Sequence, residues 1–240
     1  MQVYWLEQSE SDVPNQPTEA MDVSWLSASE RVRLDALRFP NRRADWLLGR
    51  WTAKRAVAQW LKLSGNPQDL ATVDIRAAAD GAPEVLLAGD PAPVAISLSH
   101  RAGSAVCAVA PEGTALGCDL ELIEPRSEIF VADYFSAEER DLVDLQETPP
   151  ARSRLVNLIW SAKESALKAL RTGLRLDTRC VVVSPGNGTG LWHPLQVRHD
   201  SGRVFKGWWQ TRGHTVRTVV ADPPVLPPID LLHPRPDFSR

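Results

Sequence analysis

Two periodicities organise this chain. In Ala115–Arg126, "ALGCDLELIEPR", Leu116, Cys118, Leu120 and Leu122 alternate with Ala115, Gly117, Asp119 and Glu121. That period of two predicts a strand with an apolar face and an opposite face carrying two acids. Carboxylates spaced this way, about 6 to 7 Å apart, repel by about 2.5 kcal/mol at an effective dielectric near 20, close to two pKa units. The opposite period runs through "WSAKESALKAL", where helical spacing puts Trp160, Glu164 and Lys168 on one stripe. Leu158, Ile159, Ala162, Ala166 and Leu170 form the apolar stripe. Taken alone, Glu164 and Lys168 four residues apart read as a surface ion pair on a solvated face. Upstream, "PVAISLSHRAG" runs a strand into Ser99, His100 and a glycine turn.

The helical pattern occurs twice. "LSASERVRLDAL" from Leu26 and "FSAEERDLVDL" from Phe135 share Ser27, Ala28, Glu30, Arg31 and Asp35 with Ser136, Ala137, Glu139, Arg140 and Asp144, 109 positions later. Each opens with a serine followed three residues on by a glutamate, the signature of a capping box. The same offset carries Trp51, Ala53, Lys54 and Leu61 of "WTAKRAVAQWL" onto Trp160, Ala162, Lys163 and Leu170. Two patterns at one offset point to internal duplication of an α+β unit. The expected organisation is an N-terminal subdomain over 1–112, a C-terminal subdomain over 113–222, and a proline-rich extended tail over 223–240. "ETPPARS" reads as a loop. Arg55 stands where the second copy has Glu164, so the halves have different jobs, and the cleft between them is the expected site.

Composition narrows the class. A net charge of -3 with 24% charged residues describes a globular protein without the basic field of a nucleic-acid binder. The N-terminus lacks the basic and apolar regions of a secretory signal, and no stretch resembles a membrane span, so the expectation is a cytoplasmic protein. Cys107, Cys118 and Cys180 form no CxxC pair and read as buried free thiols. Arg31, Arg33, Arg38, Arg42, Arg43, Arg50, Lys54 and Arg55 make a basic region in the first half with no obvious acidic partner.

The chemistry gathers on the acids. Asp119 and Glu121 on a strand and Glu164 on a helix make a hard oxygen site suited to Mg²⁺, which takes few protein ligands and completes its shell with water and phosphate. Such a cation would remove the repulsion on the strand. "PGNGTG" precedes a strand and reads as a hairpin turn, and no GxxxxGK phosphate loop occurs.

"GCDLE" and "WSAKESALK" resemble the two signatures of the 4'-phosphopantetheinyl transferases, G-x-D-x-E and W-x-x-K-E-x-x-x-K. "SLSH" and "YFSAEER" match segments before and between them, and the resemblance covers most of residues 1 to 222. The length points to the surfactin-synthetase type, a pseudo-dimer of two similar α/β subdomains with the active site at their interface. What the resemblance implies is transfer of phosphopantetheine from coenzyme A to a serine of an apo acyl or peptidyl carrier protein, releasing 3',5'-ADP. It implies Mg²⁺ on Asp119, Glu121 and Glu164, with Glu164 drawing the serine proton. Lys168 would stabilise the leaving phosphate with Lys163 nearby, Ser99 and His100 would hold the coenzyme phosphates, and Arg33 would contact the 3'-phosphate. A monomer without nucleic-acid or membrane partners is expected. One departure stands out: the family's Gly-Lys-Pro is Gly81-Ala82-Pro83 here, so a lysine near the nucleotide is missing. A non-catalytic coenzyme A or carrier-binding relative is the alternative.

Overall fold

The computed structural model describes residues 1–14 and 22–232 and divides into two compact units. One comprises Val3–Gly113 with a short strand near the C-terminus; the other comprises Thr114–Pro228 with Met1–Gln2. None of the described helices is long and apolar enough to cross a membrane.

The N-terminal unit runs β1 (Tyr4–Ser9), α1 (Ala28–Asp35), α2 (Pro40–Trp60), α3 (Pro67–Thr72), β2 (Val73–Ala77), β3 (Pro83–Leu87), β4 (Asp90–Pro91), β5 (Val94–Arg101) and β6 (Ser104–Pro111). β1, β6 and β5 form an antiparallel sheet, and β2, β3 and β4 a second one. Ala53, Ala56 and Val57 of α2 pack with Leu6, Ile96, Cys107 and Val109 into one core.

The C-terminal unit runs β7 (Ala115–Leu122), α4 (Glu128–Tyr134), α5 (Ala137–Asp144), α6 (Pro149–Ala169), β8 (Val181–Pro185), β9 (His193–His199), β10 (Val204–Arg212) and β11 (Thr215–Asp222). Its sheet is antiparallel in the order β7-β11-β10-β9-β8, with β7 at the edge. "PGNGTG" lies in the connection between the paired strands β8 and β9. Beyond β11, β12 (Ile229–Asp230) pairs parallel with β1. The last part of the expected tail, 233–240, lies outside the described residues.

The two units build matching corners. Ser27 and Ser136 each cap an eight-residue helix through a complete capping box with Glu30 and Glu139. Those glutamates do more than cap. Glu30 Oε1 accepts Ile75 N–H at 3.2 Å and Glu139 Oε1 accepts Val183 N–H at 2.8 Å, tying each helix start to a strand. Lys54 Nζ meets Glu30 Oε2 at 2.5 Å and the carbonyls of Trp25 and Leu70 at 3.0 and 2.9 Å. Lys163 Nζ meets Glu139 Oε2 at 2.7 Å and the carbonyls of Thr178 and Val181 at 2.9 and 2.6 Å. An ammonium has three donors, and here each has an acceptor. Both lysines are fully buried.

Three expectations are corrected. Lys54 is no part of a solvated basic face, because Glu30 is its acidic partner, and Arg50 Nε lies 3.8 Å from the same carboxylate. "ETPPARS" is no loop: Thr148 caps α6 and two prolines fill its first turn, where a missing N–H costs nothing. Cys107 and Cys118 are buried free thiols, whereas Cys180 is only half-buried.

Candidate active site

β7 offers Asp119 and Glu121 on the face that α6 crosses, and Gly117 sets how close the helix comes. A Cβ on Gly117 would stand 1.7 Å from the Ser165 carbonyl oxygen and 2.9 Å from the Ala169 nitrogen. Fully buried hydroxyls fasten the helix to the neighbouring strand: Ser161 and Ser165 meet the Thr218 Oγ1 at 2.8 and 2.7 Å. Thr218 is the register partner of Asp119.

The strand face that carries the acids is therefore covered. Asp119 is only 4% exposed. Alternation along a strand says which residues share a face, not what lies over it. The α6 stripe runs along this acid row and not along a solvated surface. Trp160 Nε1 donates to Glu121 Oε1 at 3.1 Å, and Lys168 Nζ donates to Asp119 Oδ1 at 2.7 Å and to the Cys118 carbonyl at 2.9 Å. Glu164 sits one turn from each on the same stripe.

The repulsion foreseen in the sequence is met by side chains. Lys168 serves Asp119, and Arg126 Nη2 lies 3.3 Å from Glu121 Oε2. Burial, then the negative charge of Asp119, pushes the Glu164 carboxyl above its ordinary range; Lys168 works the other way and Glu121 adds to the rise. Burial pulls the Lys168 ammonium down, but Asp119 and the Cys118 and Glu164 groups more than offset it, so its pKa is raised. The arrangement keeps a cation fixed beside a carboxyl that holds its proton more readily than usual.

Arg126 and Asn157 went unrecognised in the sequence. Arg126 Nε donates to Asn157 Oδ1 at 3.0 Å. The available signal was Asn157 itself, a polar residue inside the apolar run "LVNLIW" and fully buried in the fold. A polar group in such a run needs partners.

The remaining expected residues belong to other parts of the chain. Lys163 has no exposed surface and its ammonium is engaged by three acceptors of its own unit. Arg33, Gly81, Ser99 and His100 belong to the N-terminal unit. Arg33 is exposed in the last turn of α1. Gly81 takes φ +91 in the turn between β2 and β3, with its N–H on the Ala78 carbonyl at 2.9 Å. Ser99 is half-buried in β5, and His100 Nε2 lies 3.9 Å from Asp45 Oδ2 with 55% of its side chain exposed.

Among the described residues, no three His, Cys, Asp or Glu side chains form a ready-made metal cage. The donor chemistry of Asp119, Glu121 and Glu164 nonetheless fits a hard divalent cation, since all three offer only oxygen and their charges oppose one another at Glu164.

Residues 115–212 match the model of the 4'-phosphopantetheinyl transferase superfamily. That span holds β7 through β10, and with them Asp119, Glu121, Glu164 and Lys168. No curated protein matches the chain. The superfamily match thus falls on the unit in which α6 lies over the acid row.

Proposed function

We propose that this protein transfers the 4'-phosphopantetheine moiety of coenzyme A to a serine of an apo acyl or peptidyl carrier protein, with Mg²⁺, releasing 3',5'-ADP. The observation that carries the reading is the apposition of Trp160, Glu164 and Lys168 on α6 with Asp119 and Glu121 on β7, inside the segment similar to the superfamily. We read the chain as the two-subdomain, surfactin-synthetase type acting as a monomer.

In this reading Asp119, Glu121 and Glu164 would hold the cation. A bound Mg²⁺ would supply charge neutralisation at the pyrophosphate, the main demand of such a transfer. The carrier serine oxygen forms a bond to the phosphorus bearing pantetheine, and the bond from that phosphorus to the oxygen of the departing 3',5'-ADP breaks. Glu164 accepts the serine proton, a role suited to a carboxyl whose affinity for protons is raised. Lys168, held protonated by Asp119, faces the growing negative charge on the leaving phosphate. Arg33, Ser99 and His100 are the groups we assign to the coenzyme's phosphates, with Gly81 beside the nucleotide.

The test is incubation with coenzyme A, Mg²⁺ and a panel of apo carriers, followed by mass spectrometry of each carrier. Gain of the phosphopantetheine mass on one carrier, abolished in Glu164→Gln, supports the reading. Ala82, standing where the family has a lysine, favours a second reading as a non-catalytic coenzyme A or carrier-binding protein. Coenzyme A binding without mass gain on any carrier would decide for that alternative.

A further inference from the structure

Glu121 is gripped at both oxygens, and the grip leads away from the acid row into the body of α6. Trp160 Nε1 holds Oε1 at 3.1 Å, and Arg126 Nη2 lies 3.3 Å from Oε2. Behind Arg126 stands Asn157. Its Oδ1 accepts Arg126 Nε at 3.0 Å, while its amide nitrogen donates to the carbonyls of Glu124 and Ser153 at 2.7 and 2.8 Å. Those two acceptors fix which way the buried amide points, and so which atom meets the arginine. The guanidinium also lies over the Phe130 ring, 5.1 Å from its centroid, which restrains its plane.

A carboxylate has about four lone-pair directions. The donors on its two oxygens set the plane of Glu121, and with it the directions in which the carboxylate presents its lone pairs. We propose that Arg126, braced by Asn157, is a positioning residue that orients Glu121 as an oxygen donor to the divalent cation; the inference rests on the function proposed above. Arginine is needed for its geometry. A planar guanidinium reaches Asn157 with Nε and Glu121 with Nη2 at the same time, which the single ammonium of lysine cannot reproduce.

The experiment measures Mn²⁺ binding by electron paramagnetic resonance, without coenzyme A, in the full chain and in Arg126→Ala, Arg126→Lys and Glu121→Gln. Thermal unfolding is followed alongside. Outer partners of metal ligands typically change affinity by about tenfold or more. Arg126→Ala should weaken Mn²⁺ by about that factor and raise the metal concentration for half-maximal transfer equally, with turnover at saturating metal largely restored. Arg126→Lys, which keeps a long aliphatic stem and a positive charge, should behave like Arg126→Ala and carries the test if the alanine variant does not fold. Wild-type Mn²⁺ affinity in Arg126→Lys, or in a folded Arg126→Ala, overturns the inference while Glu121→Gln still loses the metal. Should Glu121→Gln bind Mn²⁺ like the wild type, the proposed metal site itself fails and takes the inference with it.

Discussion

Lys168 and Asp119 form one contact across the helix-strand boundary, 2.7 Å from Nζ to Oδ1, with the carboxylate almost fully buried and the ammonium side chain 29% exposed. Removing the cation therefore leaves an acid under α6 with little water to replace it. Lys168→Met should cost about 2 kcal/mol of stability, below the range for a fully buried pair because of that exposure. Urea denaturation of Lys168→Met, Asp119→Asn and the double variant measures the coupling directly. A coupling near zero would show that the pair does not stabilise the fold. Transfer should fall at least about 100-fold in each single variant.

Glu164 should trade stability for function. Its folded-state pKa is raised, so its contribution to stability is fully present below the ordinary glutamate range and is lost as pH rises through the folded value. Glu164→Gln has no such loss. Its melting temperature in metal-free buffer should exceed that of the wild type at pH 7.5 and approach it near pH 4, while transfer drops by about 100-fold or more. An equal or lower melting temperature at pH 7.5 would contradict the electrostatics described for the site.

The glycine of the acid strand is a spacing element. Gly117→Ala forces a methyl into the Ser165 carbonyl, so strand or helix must shift, at a cost of about 3 kcal/mol. Gly113 makes a useful comparison, since its Cβ would meet nothing within 4 Å and only its φ of +81 resists substitution. Gly113→Ala should cost about 1 kcal/mol and leave transfer intact. If the two alanines are equally mild in chemical denaturation, the close approach of α6 is not what Gly117 provides.

The buried lysines predict a pair of matched losses. Lys54→Met leaves the buried Glu30 with Arg50 at 3.8 Å, and Lys163→Met leaves the buried Glu139 without its lysine. Each should lose about 4 kcal/mol. At a temperature where Lys163→Met is still folded, calorimetric affinity for coenzyme A should match the wild type. A selective loss of coenzyme affinity would assign that lysine to the ligand.

The sequence made the strand and helix patterns legible, down to the capping boxes at Ser27 and Ser136. It also put the right side chains on the right stripes of β7 and α6. What it hid was contact. Period-two alternation around Asp119 looks the same whether the acid row faces water or a helix, and only Gly117 hinted that something packs there. Pro149 and Pro150 suggested a loop because proline breaks helices, although it also starts them. Arg126 was hidden because its partners come from an adjoining strand, a short helix and the middle of α6, which no local pattern brings together.

The twin lysines change how the signature W-x-x-K-E-x-x-x-K should be read. The N-terminal unit keeps its tryptophan and first lysine as Trp51 and Lys54, yet carries Arg55 and Gln59 where the other unit has Glu164 and Lys168. Within one chain, then, the letters separate into two vocabularies: Lys54 and Lys163 spell architecture, whereas Glu164 and Lys168 are the positions to which we assign the chemistry. A sequence preserving only the former announces a shape and nothing about a reaction.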